Sequence, residues 1–329
     1  MKKTLLALAV PALLAAGSAT AGINLYDQDG VKTDLTGAAE VQYFQGYDKD
    51  SDAKIRLDDG DLGVNTTVAI SNTLNAIAGL AFEMESGDVT NDELYVGLAG
   101  DFGTVTFGRQ YMLADDTGIG KDVELGGDGI DFVQASGDQV VKYVFDNGQF
   151  YAAADALLTE TNPADDADEA TVYEGRLGAR FGDLDARAYL YSGEDVSSDK
   201  FDVFGGAAVP LDIEGFQLEA EYIFNAFSFA ASFGQVDYEL SSDTSKKVEA
   251  DTAALAGSYT MDKTTFAVGY TYWSPESKGT TEKLSEEANV FYANVTQQLH
   301  SNVKVYGEIG SSDVDDTEFG YVAGMEVSF

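Results

Sequence analysis

Apolar and polar residues alternate along the carboxy-terminal segment of the chain, residues 319–329. The odd-numbered positions are apolar or aromatic, and the last of them is Phe329. Because successive side chains of a β-strand point to opposite faces, the alternation predicts a strand with one apolar face. The other face carries Glu326 and Ser328. A chain that ends on an aromatic strand of this kind is typical of a bacterial outer-membrane barrel.

Alternating segments recur along the rest of the chain, at the length of about ten residues that a membrane-spanning strand needs. In residues 173–181, the apolar positions alternate with a set that includes Glu174, Arg176 and Arg180. A dry core would bury these charges, whereas a water-filled lumen would hydrate them. We therefore predict an all-β protein, a transmembrane up-and-down antiparallel β-barrel around an aqueous pore.

The connections between the predicted strands alternate between short turns and long acidic loops, as in barrels with periplasmic turns and extracellular loops. Fourteen candidate strands lie outside residues 200–240, and three apolar runs lie near 201–209, 216–224 and 227–236. Since single-chain bacterial barrels have an even number of strands, we predict 16, with one of the three runs merged or placed in a loop.

One connection, residues 112–137, is longer than the others and is rich in apolar residues. Connections of this length in compact proteins are usually functional or disordered. The apolar content indicates that this one packs against another surface, for which the inner wall of the barrel is the obvious candidate. Its apolar residues are Leu113, Ile119, Val123, Leu125, Ile130, Phe132 and Val133.

The amino-terminal residues 1–21 have the features of a secretory signal peptide. Lys2 and Lys3 precede an apolar stretch, and the small residues 19–21 form a cleavage site. We expect cleavage after Ala21, which leaves residues 22–329 as the mature barrel. No later segment has the roughly twenty consecutive apolar residues of a membrane-spanning helix.

Composition and charge exclude several classes of function. The chain has 19 basic and 57 acidic residues, a formal net charge of −38, so repulsion excludes nucleic acid as a partner. It has no cysteine, which excludes disulfides and thiolate chemistry, and we expect no cofactor. The acidic excess fits either solubility in a salty medium or a field that concentrates cations.

Three blocks of sequence, residues 24–37, 94–111 and 124–127, together with Phe329, resemble Gram-negative general diffusion porins. These are the trimeric, sixteen-stranded porins of gammaproteobacteria. The resemblance implies a homotrimer in the cell outer membrane, a third loop folded into the lumen, and passive diffusion of ions and small hydrophilic solutes.

The resemblance also implies a pore constriction in which loop carboxylates face basic residues of the wall. Glu124 matches the carboxylate at the loop tip, Asp122 matches a second one less closely, and Asp115 and Asp116 match the acidic start of the loop. We include Asp128 of the same loop among the constriction residues.

The wall that the resemblance implies departs from the family pattern. Asp61 and either Asp92 or Glu93 stand where the family has arginines, which makes this part of the wall acidic. The basic candidates that remain include Arg176 and Arg180. Because acidic rings favour cations, we predict a cation-preferring channel whose constriction is acidic on both sides.

Other functions and partners stay open at the level of sequence. A solute-specific channel is one alternative, and an outer-membrane adhesin or enzyme that acts through its extracellular loops is another. Asp48, Asp50 and Asp52 resemble the start of an EF-hand loop, but the required glycine and closing glutamate are missing, so we predict no metal site. Loose divalent binding that bridges acidic loops to lipopolysaccharide remains a hypothesis.

Overall fold

A computed structural model describes residues 22–49, 51–85, 87–119, 123–126, 130, 132–160, 170–197, 209–279 and 286–329. The predicted signal peptide, most of the apolar run near 201–209, and Asp50, Asp122 and Asp128 lie outside these ranges. Within them, no helix is long and apolar enough to cross a membrane.

The described residues form eighteen antiparallel β-strands, numbered here in chain order. They are β1 (Ile23–Gln28), β2 (Val31–Gln45), β3 (Lys54–Leu57), β4 (Leu62–Ala69), β5 (Leu74–Glu83), β6 (Thr90–Gly100), β7 (Gly103–Tyr111), β8 (Ser136–Asp146), β9 (Phe150–Glu160), β10 (Ala170–Phe181), β11 (Leu184–Ser197), β12 (Pro210–Phe224), β13 (Phe227–Leu240), β14 (Lys247–Met261), β15 (Thr264–Lys278), β16 (Ala288–His300), β17 (Val303–Ser312) and β18 (Gly320–Ser328).

These strands form one closed barrel with sixteen strand positions. Each strand from β4 to β18 pairs with its neighbour in sequence, and β18 pairs with β2. β3 and β4 pair in succession with the two halves of β2, so together they occupy one strand position of the barrel. β18 and β1 likewise pair in succession with β2 and together occupy one strand position. The prediction of sixteen strands is confirmed, and within 210–240 only two strands, β12 and β13, are present among the described residues.

The two ends of the chain meet at the seam of the barrel. Phe329 and Gly37 exchange two backbone hydrogen bonds of 2.8 Å. β18 pairs with β2 as far as Ala38, and β1 then pairs with β2 from Leu35 to Val31. The strand β1 was not predicted from the sequence.

The predicted alternation of faces is present in the barrel. One face, here called the apolar face, carries exposed side chains such as Leu177 (68%), Leu190 (65%) and Val96 (60%). The opposite face, here called the polar face, carries Glu174, Arg176 and Glu326. An apolar outer band with a polar interior is the arrangement of transmembrane barrels.

Tyrosine rings lie over glycines of the neighbouring strand on the polar face. In each case the ring occupies the space where a Cβ of the glycine would stand, so any larger residue would displace the ring. Such aromatic–glycine pairs help to fix the register of neighbouring strands. The directly paired residues are Gly79 with Tyr95, Gly178 with Tyr151, Gly269 with Tyr292, and Gly324 with Tyr306.

Replacing Gly178 by valine is therefore expected to destabilise the barrel. The valine side chain would clash with the ring of Tyr151, and overpacking of this kind costs about 1–3 kcal/mol. The temperature at which the barrel unfolds in detergent would fall. Gly175→Val on the opposite face of the same strand is the control, because a Cβ there meets nothing within 4 Å. Equal melting temperatures for the two variants would contradict the prediction.

Candidate functional site

The long connection joins β7 to β8 and spans residues 112–135, two residues shorter than predicted because β8 begins at Ser136. Its apolar side chains pack on the polar face of the barrel. Met112, Ile130 and Phe132 lie in one buried cluster with residues of β8 to β14. The ring of Phe132 is stacked on that of Tyr191, with centroids 4.7 Å apart. The prediction that this connection packs against another surface is confirmed.

Two further apolar contacts follow the same path along the wall. Leu113 packs with Ala153 on β9 and Tyr189 on β11. Ile119 packs with Ala230 on β13 and Ala254 on β14. The first part of the connection therefore lies along the side of the barrel formed by β9 to β14.

Carboxylates of the wall accept hydrogen bonds from backbone N–H groups of the connection. A bond to an ionised carboxylate is charge-assisted and is stronger than a neutral one. They come from four strands, β9, β10, β12 and β17, and so hold both the start and the tip of the connection. Asp155 accepts from Leu113 (2.8 Å), Glu174 from Ala114 (2.9 Å), Glu219 from Gly118 (2.5 Å) and Glu308 from Leu125 (2.5 Å).

The tip of the connection, residues 124–126, is also bound by hydroxyl groups. The Tyr47 hydroxyl donates to the carbonyl of Leu125 at 2.5 Å. The Thr271 hydroxyl on β15 donates to the carbonyl of Gly126 at 2.5 Å. β15 and β17 lie on a different side of the barrel from β9. The start and the tip of the connection therefore contact strands that are well separated in the barrel.

Two carboxylates predicted at the constriction form ion pairs with arginines of the wall. Arg176 on β10 contacts Asp116 at 2.5 Å. Arg56 on β3 contacts Glu124 at 2.5 Å and Asp58 at 2.9 Å. We predicted a constriction that is acidic on both sides, whereas the guanidinium that lies against Glu124 belongs to Arg56, a residue that we did not predict there.

Several carboxylates lie close together beside β3 to β6. Asp61 pairs through its backbone with Ala38 of β2 and is exposed. Its carboxylate comes within 4.8 Å of those of Asp59 and Glu85. Glu93 lies on β6 next to the outward-facing Leu94, so its side chain is on the polar face.

Carboxylate clusters of this kind have the donor set of a hard cation site. A second group joins Asp59 to Glu40 and Glu326. In that group the ammonium of Lys304 lies 2.5 Å from Glu326 and 3.9 Å from Glu40, so a lysine already supplies the positive charge. Neither group includes the predicted weak candidates Asp48 and Asp52.

The other predicted residues are placed as follows. Asp115 directly follows Leu113 and Ala114, whose N–H groups donate to the wall, and it is exposed. Arg180 lies at the end of β10 and pairs with Asp146 (2.9 Å) and Asp185 (3.2 Å), next to the short turns. These contacts lie away from the described part of the β7–β8 connection, so the position of Arg180 does not favour the constriction role that we predicted for it.

Several contact residues were missed at the level of sequence, and one of them had a clear signal. Arg56 stands between Ile55 and Leu57, whose exposed side chains lie on the apolar face, so simple alternation assigns it to the polar face. Glu219 and Glu308 also alternate with apolar neighbours. Nothing local distinguishes them from the many other acids of the polar face.

The chain has extensive similarity to known proteins. The sequence model of the Gram-negative porin family matches residues 5–317. "Porin-like protein H" of Photobacterium profundum is 78% identical over 329 residues, which is 100% of each chain. "Outer membrane porin protein OmpD" of Salmonella typhimurium is 34% identical over 139 residues, which cover 39% of this chain and 38% of that one.

Solved structures share the fold at lower sequence identity. A loop-deletion mutant of OmpT, an outer membrane protein of Vibrio cholerae, has a TM-score of 0.78 at 22% identity, covering 92% of this chain and 100% of that one. OmpF of Salmonella typhi, in complex with daunomycin, has a TM-score of 0.70 at 14% identity, covering 93% and 100%. At these identities the likeness shows the fold alone.

Proposed function

This chain belongs to the Gram-negative porin family, and we propose that the passage it provides across the outer membrane prefers cations. Porins are channels for passive diffusion, which indicates a channel rather than an enzyme. The barrel and the family both agree with a multi-pass β-barrel of the cell outer membrane. The cation preference, the constriction and the assembly are the parts that we propose.

The first step of the proposal is that the β7–β8 connection narrows the lumen. In support, its apolar residues pack on the polar face from β8 to β14, and its tip is bound by side chains of the wall near β3, β15 and β17. Because the connection contacts β8 to β14 and then β3, β15 and β17, the passage that it leaves open lies beside the remaining strands, β4 to β7.

The second step concerns the charge beside that passage. Asp61, Glu85 and Glu93 lie on the polar face or on connections between β3 and β6, and Asp61 and Glu85 bring their carboxylates within 4.8 Å of each other. The arginines that contact the described part of the connection, Arg56, Arg176 and Arg187, are each paired with a carboxylate. Fixed negative charge therefore exceeds positive charge on this side, which favours cations in a narrow aqueous pore.

The partners follow from the same assignment. We propose a homotrimer, because a solved OmpT of Vibrio cholerae is described as a trimer form and because small residues, including Gly37, Ala39, Ala76 and Ala78, occupy the apolar face near the seam. We also propose removal of residues 1–21 on export. Contact with lipopolysaccharide through divalent cations fits the acidic connections, such as the two that carry Asp48 and Asp316.

Reversal potentials in planar bilayers test the proposed cation preference. Under a salt gradient, the purified protein should give stepwise currents whose reversal potential has the sign of a cation-preferring channel. The preference should weaken at high salt, because screening shortens the reach of the wall charges to about 3 Å at 1 M. An anion-selective current would contradict the proposal. Current that saturates and is blocked by one solute would favour the solute-specific alternative, and the absence of current would favour an adhesin or enzyme.

A further inference from the structure

Two acidic side chains face each other directly beneath the start of the β7–β8 connection. Asp155 on β9 and Glu174 on β10 are cross-strand partners in register. They are buried, with exposures of 6% and 7%. Directly opposed residues of neighbouring strands have Cβ atoms about 4.5–5.5 Å apart, and like charges at that spacing repel. Burial strengthens the repulsion, because it removes the water that would screen it.

Each of the two carboxyl groups uses one oxygen to bind the connection. Asp155 accepts from the N–H of Leu113, and Glu174 accepts from the N–H of the next residue, Ala114. The second oxygens, Oδ1 of Asp155 and Oε1 of Glu174, are buried and have no hydrogen-bond donor among the described residues. The two side chains are nevertheless within hydrogen-bonding contact of each other. Two carboxylates can only accept hydrogen bonds. A hydrogen bond between these two groups therefore requires a proton on one of them.

Among the described residues, the neighbouring charges supply positive charge for only one of the two carboxyl groups. Lys142 on β8 is the cross-strand partner of Asp155 and can balance its charge. Arg176, two residues after Glu174, is 2.5 Å from Asp116 and is paired there. The other ionisable groups around the pair are Tyr151 on β9, Tyr189 and Tyr191 on β11, and Asp115 and Asp116 on the connection.

We propose that Asp155 and Glu174 share one proton and that this acid pair fastens the start of the β7–β8 connection to the barrel wall. Asp155 is ionised beside Lys142, and Glu174 carries the proton and donates it to Asp155. Both groups keep an oxygen free to accept from Leu113 and Ala114. They are positioning residues, because they act on the passage through the connection.

The pair makes docking of the connection depend on pH. When the connection is docked, the pair holds a proton that two hydrated carboxylates would release at neutral pH. Docking therefore takes up one proton, and by linkage it is favoured at low pH and weakened as the pH rises. Above the pH at which the shared proton leaves, two buried charges repel and the start of the connection loosens.

Two measurements on the intact barrel test this inference independently of ion flow. Infrared difference spectroscopy should show the band of a protonated carboxylic acid, lost in Glu174→Gln. Hydrogen exchange at Leu113 and Ala114, corrected for the intrinsic effect of pH, should lose protection in alkaline solution in the wild-type protein. In Glu174→Gln the protection should stay constant, since the glutamine amide donates to Asp155 and its carbonyl still accepts from Ala114.

A matched control is Glu219→Gln, since Glu219 also accepts from the connection but has an arginine rather than an acid as its partner. This variant should lower protection at Gly118 at every pH and leave the alkaline loss at Ala114 in place. The inference fails if the acid band is absent from the wild-type protein or persists in Glu174→Gln. It also fails if Glu174→Gln shows the same alkaline loss as the wild-type protein. Neither outcome bears on whether the barrel conducts cations.

Discussion

Replacing both Asp61 and Glu93 by lysine is expected to abolish the cation preference of the channel and to shift it towards anions. In solution alkaline enough to ionise both carboxyl groups, each substitution changes the local charge by two, so the wall beside the proposed passage changes by four units. At about 10 Å in water, each unit is worth about 0.4 kcal/mol to a permeant ion, with opposite sign for cation and anion. The combined effect on their permeability ratio is about 3 kcal/mol, or about a hundredfold without screening.

The measurement is the reversal potential in a salt gradient, taken at several ionic strengths. Screening over about 10 Å at 0.1 M salt reduces the shift to several-fold, so the variant and the wild type should converge as salt increases. Asp101→Lys with Asp183→Lys makes the same change of charge at two exposed short turns and serves as the control. If this control shifts the reversal potential as far as Asp61→Lys with Glu93→Lys does, the charge that selects ions is not in the wall beside β3 to β6.

The architecture was predictable because apolar and polar residues alternate along the strands of a transmembrane barrel with a period of two. The alternation in residues 319–329 correctly assigned Glu326 to the polar face. The split between β3 and β4 and the strand β1 were missed for a physical reason. Both depend on β2, which pairs with β3 and β4 on one side and with β18 and β1 on the other, and this pairing is not encoded within either segment.

The candidate site was less predictable than the fold. The apolar residues of the connection indicated packing, but their partners on β8 to β14 come from strands that are distant in sequence. Arg56 could have been assigned to the polar face by alternation. The contact of Arg56 with Glu124 could not have been predicted. It depends on the path that a connection of about twenty residues takes across the barrel, and local sequence rules do not give that path.

Replacing Phe132 by alanine is expected to release the second half of the β7–β8 connection from the wall. Phe132 is 3% exposed, and its ring is stacked on Tyr191 within the largest buried cluster. Removal of a buried phenylalanine ring costs about 3–5 kcal/mol. Because the barrel itself is held by its closed ladder of strand pairs, this cost falls on docking of the connection. Even about 3 kcal/mol would raise the undocked population about a hundredfold.

In single-channel recordings, the undocked state should appear as frequent changes of conductance, because a released connection no longer holds a fixed position beside the passage. Hydrogen exchange at Ile130 and Phe132 should accelerate, while exchange in the strands stays unchanged. Phe291→Ala is the matched control, since this ring is 56% exposed on the apolar face, opposite to the face on which the described part of the connection packs. Steady currents in Phe132→Ala, with unchanged exchange near residue 132, would mean that the hydrogen bonds of the wall carboxylates hold the connection without its apolar contacts.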